Sequence, residues 1–147
     1  MPRQGEPERR VTRSAQMSGI IRKVTEEVWN QKNPALLDDM FTEEFVMHTP
    51  IGDFVGPSGY RQVNDTYVNA FSDCQFTIDD EFSAGDRNVV RYTFSGTHDG
   101  ELMGAAPTGK RVSISGISIS RLVGRKVAEE WPVWDQMGVM QQIGAVS

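Results

Sequence analysis

The period of the apolar residues changes at Cys74, and that change limits what the chain can fold into. Before it, apolar residues recur at helical spacing. From Cys74 they alternate one by one with polar residues, as in Cys74, Phe76 and Ile78, which is the pattern of a half-buried strand. Strands are predicted over 74–83, 89–98, 111–123 and 126–133. Gly85-Asp86 and Gly124-Arg125 supply the first and last of the tight turns between them. The stretches 116–121 (GISISR) and 129–135 (EEWPVWD) read as two long strands around a tight turn, followed by a short amphipathic helix opened by Asp135.

Upstream, Met17, Ile20, Ile21, Val24 and Val28 share one side of a helix predicted over 16–31. A short second helix has Asn33 as its cap and Pro34 in its first turn, with Leu36, Leu37, Met40 and Phe41 facing inward. Residues 45–48 read as a short strand and 49–57 as a loop. A third helix follows over 58–72, with Tyr60, Val63, Tyr67 and Phe71 on one side. The order α-α-β-α-β-β-β-β-α predicts an α+β fold in which three helices pack on one face of a bent antiparallel sheet. Gly96 and Gly116 lie inside strands, where glycine permits bending. A sheet bent this way encloses a pocket, so the expected shape is a cone.

A chain of 147 residues is enough for one core, since folding at this size buries roughly 68–70% of the unfolded surface. The tail 1–14 is polar and carries Arg3, Arg9, Arg10 and Arg13; it reads as mobile, with the cone domain over 15–147. The net charge of −5 argues against a general nucleic-acid surface. No apolar run approaches a membrane span. The lone Cys74 forms no internal disulfide and suits a reducing cytoplasm.

With that order in place, the chain resembles the SnoaL-like polyketide cyclases of the nuclear transport factor 2-like superfamily. The resemblance covers about 19–144. It is carried by residues 28–30 (VWN), 45–50 (FVMHTP), 96–100 (GTHDG), 107–109 (PTG) and 116–121 (GISISR), then by Glu130, Trp131, Asp135 and 141–144 (QQIG). It implies a cone whose open end admits a small, mostly apolar ligand. The family's aldol-type cyclases use an aspartate on the last strand as acid/base, and that position holds Pro132. Their helpers on the preceding strand match Gly116 and Ser118, and the helper on the first strand matches His48. Proline carries no proton to transfer, so aldol cyclisation is not carried over. The resemblance also allows other roles, since some family members without the aspartate act as hydroxylases or as partners to a reductase.

The expected proton-transfer pair is His48 and Asp135. A histidine titrates near neutral pH; Asp135 is equally suited to cap the last helix. The expected substrate-binding residues are Trp29, Arg91, Gly116, Ser118, Glu130 and Pro132. Trp29 matches an aromatic pocket position of the family, and Trp131 and Trp134 are further candidates for aromatic walls or packing. Alternation puts Glu130 on the pocket side with Pro132, and Glu129 on the other. A buried Glu130 needs a partner such as Arg91 or a place near the rim. Arg91 itself reads either as an electropositive wall or as an ion-pair residue on the convex face. His98 and Asp99 border a loop. The histidines are too far apart for a metal pair, so neither metal nor tightly bound cofactor is expected.

The predicted activity is proton-transfer chemistry on a small apolar or polycyclic carbonyl compound of secondary metabolism: cyclisation, isomerisation or hydroxylation of a polyketide-type metabolite. The alternative is a non-catalytic small-molecule binding or assembly module. An enclosed cavity with two converging polar groups favours the enzyme, and a cavity filled by Trp29 and methionines favours the module. Ile117 and Ile119 alternate with the pocket-side residues and so point outward, which predicts a homodimer across the sheet's outer face.

Overall fold

The computed structural model describes residues 13–146, so nearly all of the expected tail lies outside the described residues. Helix α1 (Arg13–Lys23) begins at the end of that expected tail and runs into a π-wound stretch, Val24–Asn30. The wider winding is visible in the Gln31 amide, which donates to the Glu26 carbonyl five residues back. It buries Val24, Val28 and Trp29 together. Asn30 then fastens this stretch to the sheet. Its side-chain amide donates to the Phe76 carbonyl (3.0 Å) and accepts from the Phe76 amide (2.8 Å), as a strand neighbour would.

A 3-10 turn, Pro34–Leu36, leads into α2 (Leu37–Met40). Asn33 is not a side-chain cap, contrary to expectation. Its backbone amide is bonded to the Glu27 carbonyl (3.0 Å), which ties it to the preceding helix. Strand β1 (Phe41–Thr49) is longer than predicted, and the segment read as a loop contains a second strand, β2 (Gly52–Val55). Gly52 at φ 126° permits the reversal between them. Helix α3 (Gly56–Ala70) follows, then β3 (Gln75–Ala84), β4 (Arg87–Thr97), β5 (Arg111–Val123), β6 (Lys126–Trp134) and α4 (Gln136–Gln142).

The six strands form one bent, unclosed sheet in the order β2-β1-β6-β5-β4-β3. All neighbours are antiparallel except β1 and β6, which run parallel, so the sheet is mixed rather than wholly antiparallel. The reason is topological: β1 is paired with the last strand instead of its successor in the main meander, and α3 carries the chain between them. Period-two burial is strict along β5, where Val112, Ile114, Gly116, Ser118, Ser120 and Leu122 are buried and their neighbours are more exposed. The core lies between this inner face and the helices, built from residues such as Phe41, Phe45, Phe71, Val28 and Val139. No helix is long and apolar enough among the described residues to cross a membrane.

The outer face carries a polar clasp across the parallel seam. His48 Nε2 lies 2.8 Å from Glu129 Oε2 and His48 Nδ1 lies 3.1 Å from Asp53 Oδ1, so one ring joins β1 to β6 and to β2. Arg121 Nη2 donates to the other Glu129 oxygen at 3.2 Å. The imidazole also stacks on Trp131, with ring centroids 5.7 Å apart. The hydrogen bond with Glu129, and after it the nearby Asp53, raises the His48 pKa above its ordinary 6.5.

Two predictions follow from this packing. A raised histidine pKa contributes stability that is complete below 6.5 and is lost as pH rises through the folded value. Urea titrations should therefore find His48→Gln more destabilising at about pH 6 than at about pH 9; equal losses would show that the clasp is not charged. At the other end of the chain, Asp135 Oδ1 accepts the Gly138 amide at 2.8 Å and caps α4, which seats Val139 and Ile143 in the core. Asp135→Ala should cost about 1 kcal/mol in the same measurement.

Candidate functional site

A cavity of about 90 Å³ opens between the inner sheet face and the helices. Its walls are set by alternation. Val90, Tyr92 and Phe94 project from β4, Ile114, Ser118 and Ser120 from β5, and Glu130, Pro132 and Trp134 from β6. The π-wound stretch contributes Val24, Thr25 and Trp29, and α3 contributes Tyr60, Val63 and Tyr67. The lining is mostly apolar and strongly aromatic. Glu130 is the one acidic side chain in it, and no basic side chain lines it.

Glu130 is half-buried as a residue and lines the cavity. Burial drives its pKa from 4.5 up to about 7, because the charged form loses its hydration. Among the described residues, the hydrogen bond it receives comes from Ser118 Oγ, at 3.1 Å, and this partly offsets the effect. Such a carboxyl changes protonation state near neutral pH inside an apolar chamber, which lets it both give and take a proton there. The phenols nearby behave differently. Burial lifts Tyr67 to about 12 and raises Tyr60 and Tyr92 as well, so all three stay protonated donors.

The aromatic wall is locked by its own polar edges. Trp29 Nε1 donates to the Tyr60 hydroxyl at 2.7 Å, and the Trp29 ring packs on Phe76 at a centroid distance of 4.7 Å. Tyr67 and Trp134 both donate to Gln136 Oε1, each at 2.7 Å, which ties α3 and β6 to the start of α4. Gly116 is in the inner row, but Tyr92 fills its space: a Cβ there would lie 2.5 Å from the Tyr92 hydroxyl.

Of the residues singled out in the sequence, Trp29, Ser118, Glu130 and Pro132 line the chamber, and Gly116 is covered by Tyr92 and does not itself line it. Three others are elsewhere. His48 is on the outer face, because the alternation of β1 turns the preceding Met47 inward instead. Asp135 is exposed and engaged as the cap of α4. Arg91 is exposed on the convex side, 3.9 Å from Asp79, and gives Glu130 no counter-charge. Trp131 is on the outer face under the His48 ring, with the Arg87 guanidinium 4.9 Å from its centroid. His98 is buried beside Phe71, with its Nδ1 accepting from the Thr108 amide at 3.2 Å. Among the described residues no group of three or more His, Cys, Asp or Glu side chains is placed to hold a metal.

The three tyrosines and Gln136 were not expected at the site. Tyr92 was readable from alternation with Arg91, and Tyr60 and Tyr67 from the inward face of α3. Gln136 has no sequence signal, since its role depends on where β6 ends relative to α3.

The sequence pattern of the SnoaL-like polyketide cyclases matches residues 19–143. No curated protein is significantly similar in sequence. Among solved structures, AclR, a candidate hydroxylase from Streptomyces galilaeus, superposes with a TM-score of 0.80 at 25% identity, covering 90% of this chain and 98% of its own. A candidate polyketide cyclase from Acidithiobacillus ferrooxidans gives 0.80 at 27% identity, over 90% and 96% of the two chains. IdmH, a candidate polyketide cyclase from Streptomyces antibioticus, gives 0.77 at 26% identity, over 88% and 99%. The bent sheet, the aromatic chamber and the match over most of its length agree: this chain belongs to the SnoaL-like polyketide cyclase family.

Proposed function

We propose that this protein is a polyketide-cyclase-like enzyme that acts on a small apolar or polycyclic carbonyl compound by acid/base chemistry from its own side chains. The observation that carries this reading is the Glu130 carboxyl, bonded to Ser118 at 3.1 Å inside an aromatic chamber and poised at about 7. Protonated, it gives a proton to a substrate oxygen. Deprotonated, it takes a proton from carbon next to a carbonyl. The chamber supplies orientation and excludes water, which strengthens both steps. Cyclisation and isomerisation of a polyketide-type metabolite pass through such proton transfers; hydroxylation takes dioxygen and a two-electron reductant in addition to them. In this reading Glu130 takes over the acid/base role that Pro132 vacates, from the same strand face two residues earlier. His48 and Asp135, which face away from the chamber, are not its proton-transfer pair.

The remaining polar arrangement favours catalysis over a purely structural role. Two polar groups converge within hydrogen-bond distance in the chamber, and Trp29 lines the space without filling it. We also propose a cytoplasmic homodimer joined across the outer sheet face. Ile117, Ile119 and Val133 are 50%, 36% and 65% exposed there, in adjacent positions on β5 and β6. Light scattering at high micromolar concentration should report a dimer, and Ile117→Lys with Val133→Lys should shift it to monomer; a wild-type monomer would remove this part of the proposal.

Glu130→Gln tests the central reading. In a screen of polyketide-type carbonyl compounds, the variant should turn over the wild-type substrate with kcat lower by roughly 10²–10⁴. The pH dependence of kcat near 7 should disappear with it. The same variant should be more stable than wild type, because a carboxyl whose folded pKa is raised loses folding free energy as pH rises from 4.5 to about 7. The difference of 2.5 between those values sets the gain above pH 7 at no more than about 3 kcal/mol. Full activity in Glu130→Gln would refute the assignment.

A further inference from the structure

The Tyr92 hydroxyl is a polar group in the chamber that the preceding chemistry does not use. Tyr92 is 8% exposed and lines the cavity. Among the described residues its hydroxyl forms no hydrogen bond, although Tyr60 and Tyr67 both have partners. The residue lines the cavity, where a bound molecule can take the hydrogen bond that the protein does not.

Its position is enforced from below. Tyr92 pairs with Gly116 across β4 and β5, and its ring occupies the space a side chain at 116 would fill. On the same strand face, Ser118 is two residues on from Gly116 and donates to the Glu130 carboxyl. Two residues along a strand span about 7 Å. The Tyr92 hydroxyl and the Glu130 carboxyl thus stand over neighbouring inner positions of one strand, and both residues line the cavity. The electrostatic influence of Glu130 on the Tyr92 phenol is consistent with that closeness.

We propose that Tyr92 is a ligand-binding donor that polarises a carbonyl oxygen, held over Gly116 so that the adjacent carbon faces Glu130. The ligand is an uncharged aryl or polycyclic ketone. The lining has no cation to neutralise a carboxylate or phosphate, and it offers aromatic faces instead. Glycine at 116 is then a requirement of the site, because any side chain there displaces the donor. This assignment rests on the reading of Glu130 as the chamber's acid.

The test uses acetophenone labelled at its carbonyl carbon as the probe, with ethylbenzene as the analogue that lacks the oxygen. Wild type should bind acetophenone more tightly than ethylbenzene, and infrared difference spectra should show the bound carbonyl stretch lowered relative to the ketone in an apolar solvent. Tyr92→Phe should lose that lowering and reduce the preference by roughly 10-fold, the worth of one hydrogen bond. Gly116→Ala, which keeps the hydroxyl but displaces it, should do the same. An unshifted carbonyl in wild type, no preference over ethylbenzene, or an unchanged spectrum in Tyr92→Phe would each overturn the proposal. The titration of Glu130, followed by carbon NMR of labelled glutamate, reads the acid separately. A normal carboxyl pKa with a lowered carbonyl stretch would fail the acid and leave the donor; the reverse result would fail the donor alone.

Discussion

The arrangement of the site depends on the cost of burying one carboxyl group. Glu130 projects from β6 into a chamber where, among the described residues, no basic side chain lines the wall and Ser118 alone donates to it. An ionised carboxylate in such a place loses its hydration without a counter-ion, so the equilibrium shifts toward the neutral acid until its pKa meets ambient pH. The same physics explains why the phenols around it remain protonated. A group that is unfavourable for folding and placed in an enclosed chamber is where function is expected to reside.

The aromatic walls depend on a backbone irregularity. An α-helix continued through Val24–Asn30 would space its inward residues differently; the π-winding brings Val24, Thr25 and Trp29 to one chamber wall. Trp29 is then held by Tyr60 from α3 and by Phe76 from β3, and Asn30 pairs with the backbone of β3 next to it. These contacts keep a cavity open in a protein of this size, because each large ring is braced by another element instead of collapsing inward.

Within the family, the acid position on the last strand is Pro132 here. Proline is tolerated because it lies past Met47↔Glu130, the last pairing of β1 with β6, where β6 has a neighbour on one side only. In the proposed reading the acid stands two residues back, at Glu130, on the same face. That position places the carboxyl over Ser118, and Tyr92 takes the space left by glycine at 116. The inner face therefore retains polar groups although two of the usual positions carry none.

The sequence by itself determined the α+β class, the helical first half, the strands from β3 onward and the sides of Glu129 and Glu130, because period and face are local properties of the chain. Alternation placed Ile117 and Ile119 outward for the same reason. Only the tertiary structure decided that β1 runs parallel to β6, that β2 exists, and that the first helix is π-wound, since these depend on which distant segments supply partners. It also decided the fate of His48 and Asp135. Each is a plausible acid or base by residue type, but His48 is turned outward by the register of β1 and Asp135 is occupied by the first amides of α4. Proton-transfer groups are defined by enclosure and by distance between elements, and neither quantity is present in a one-dimensional pattern.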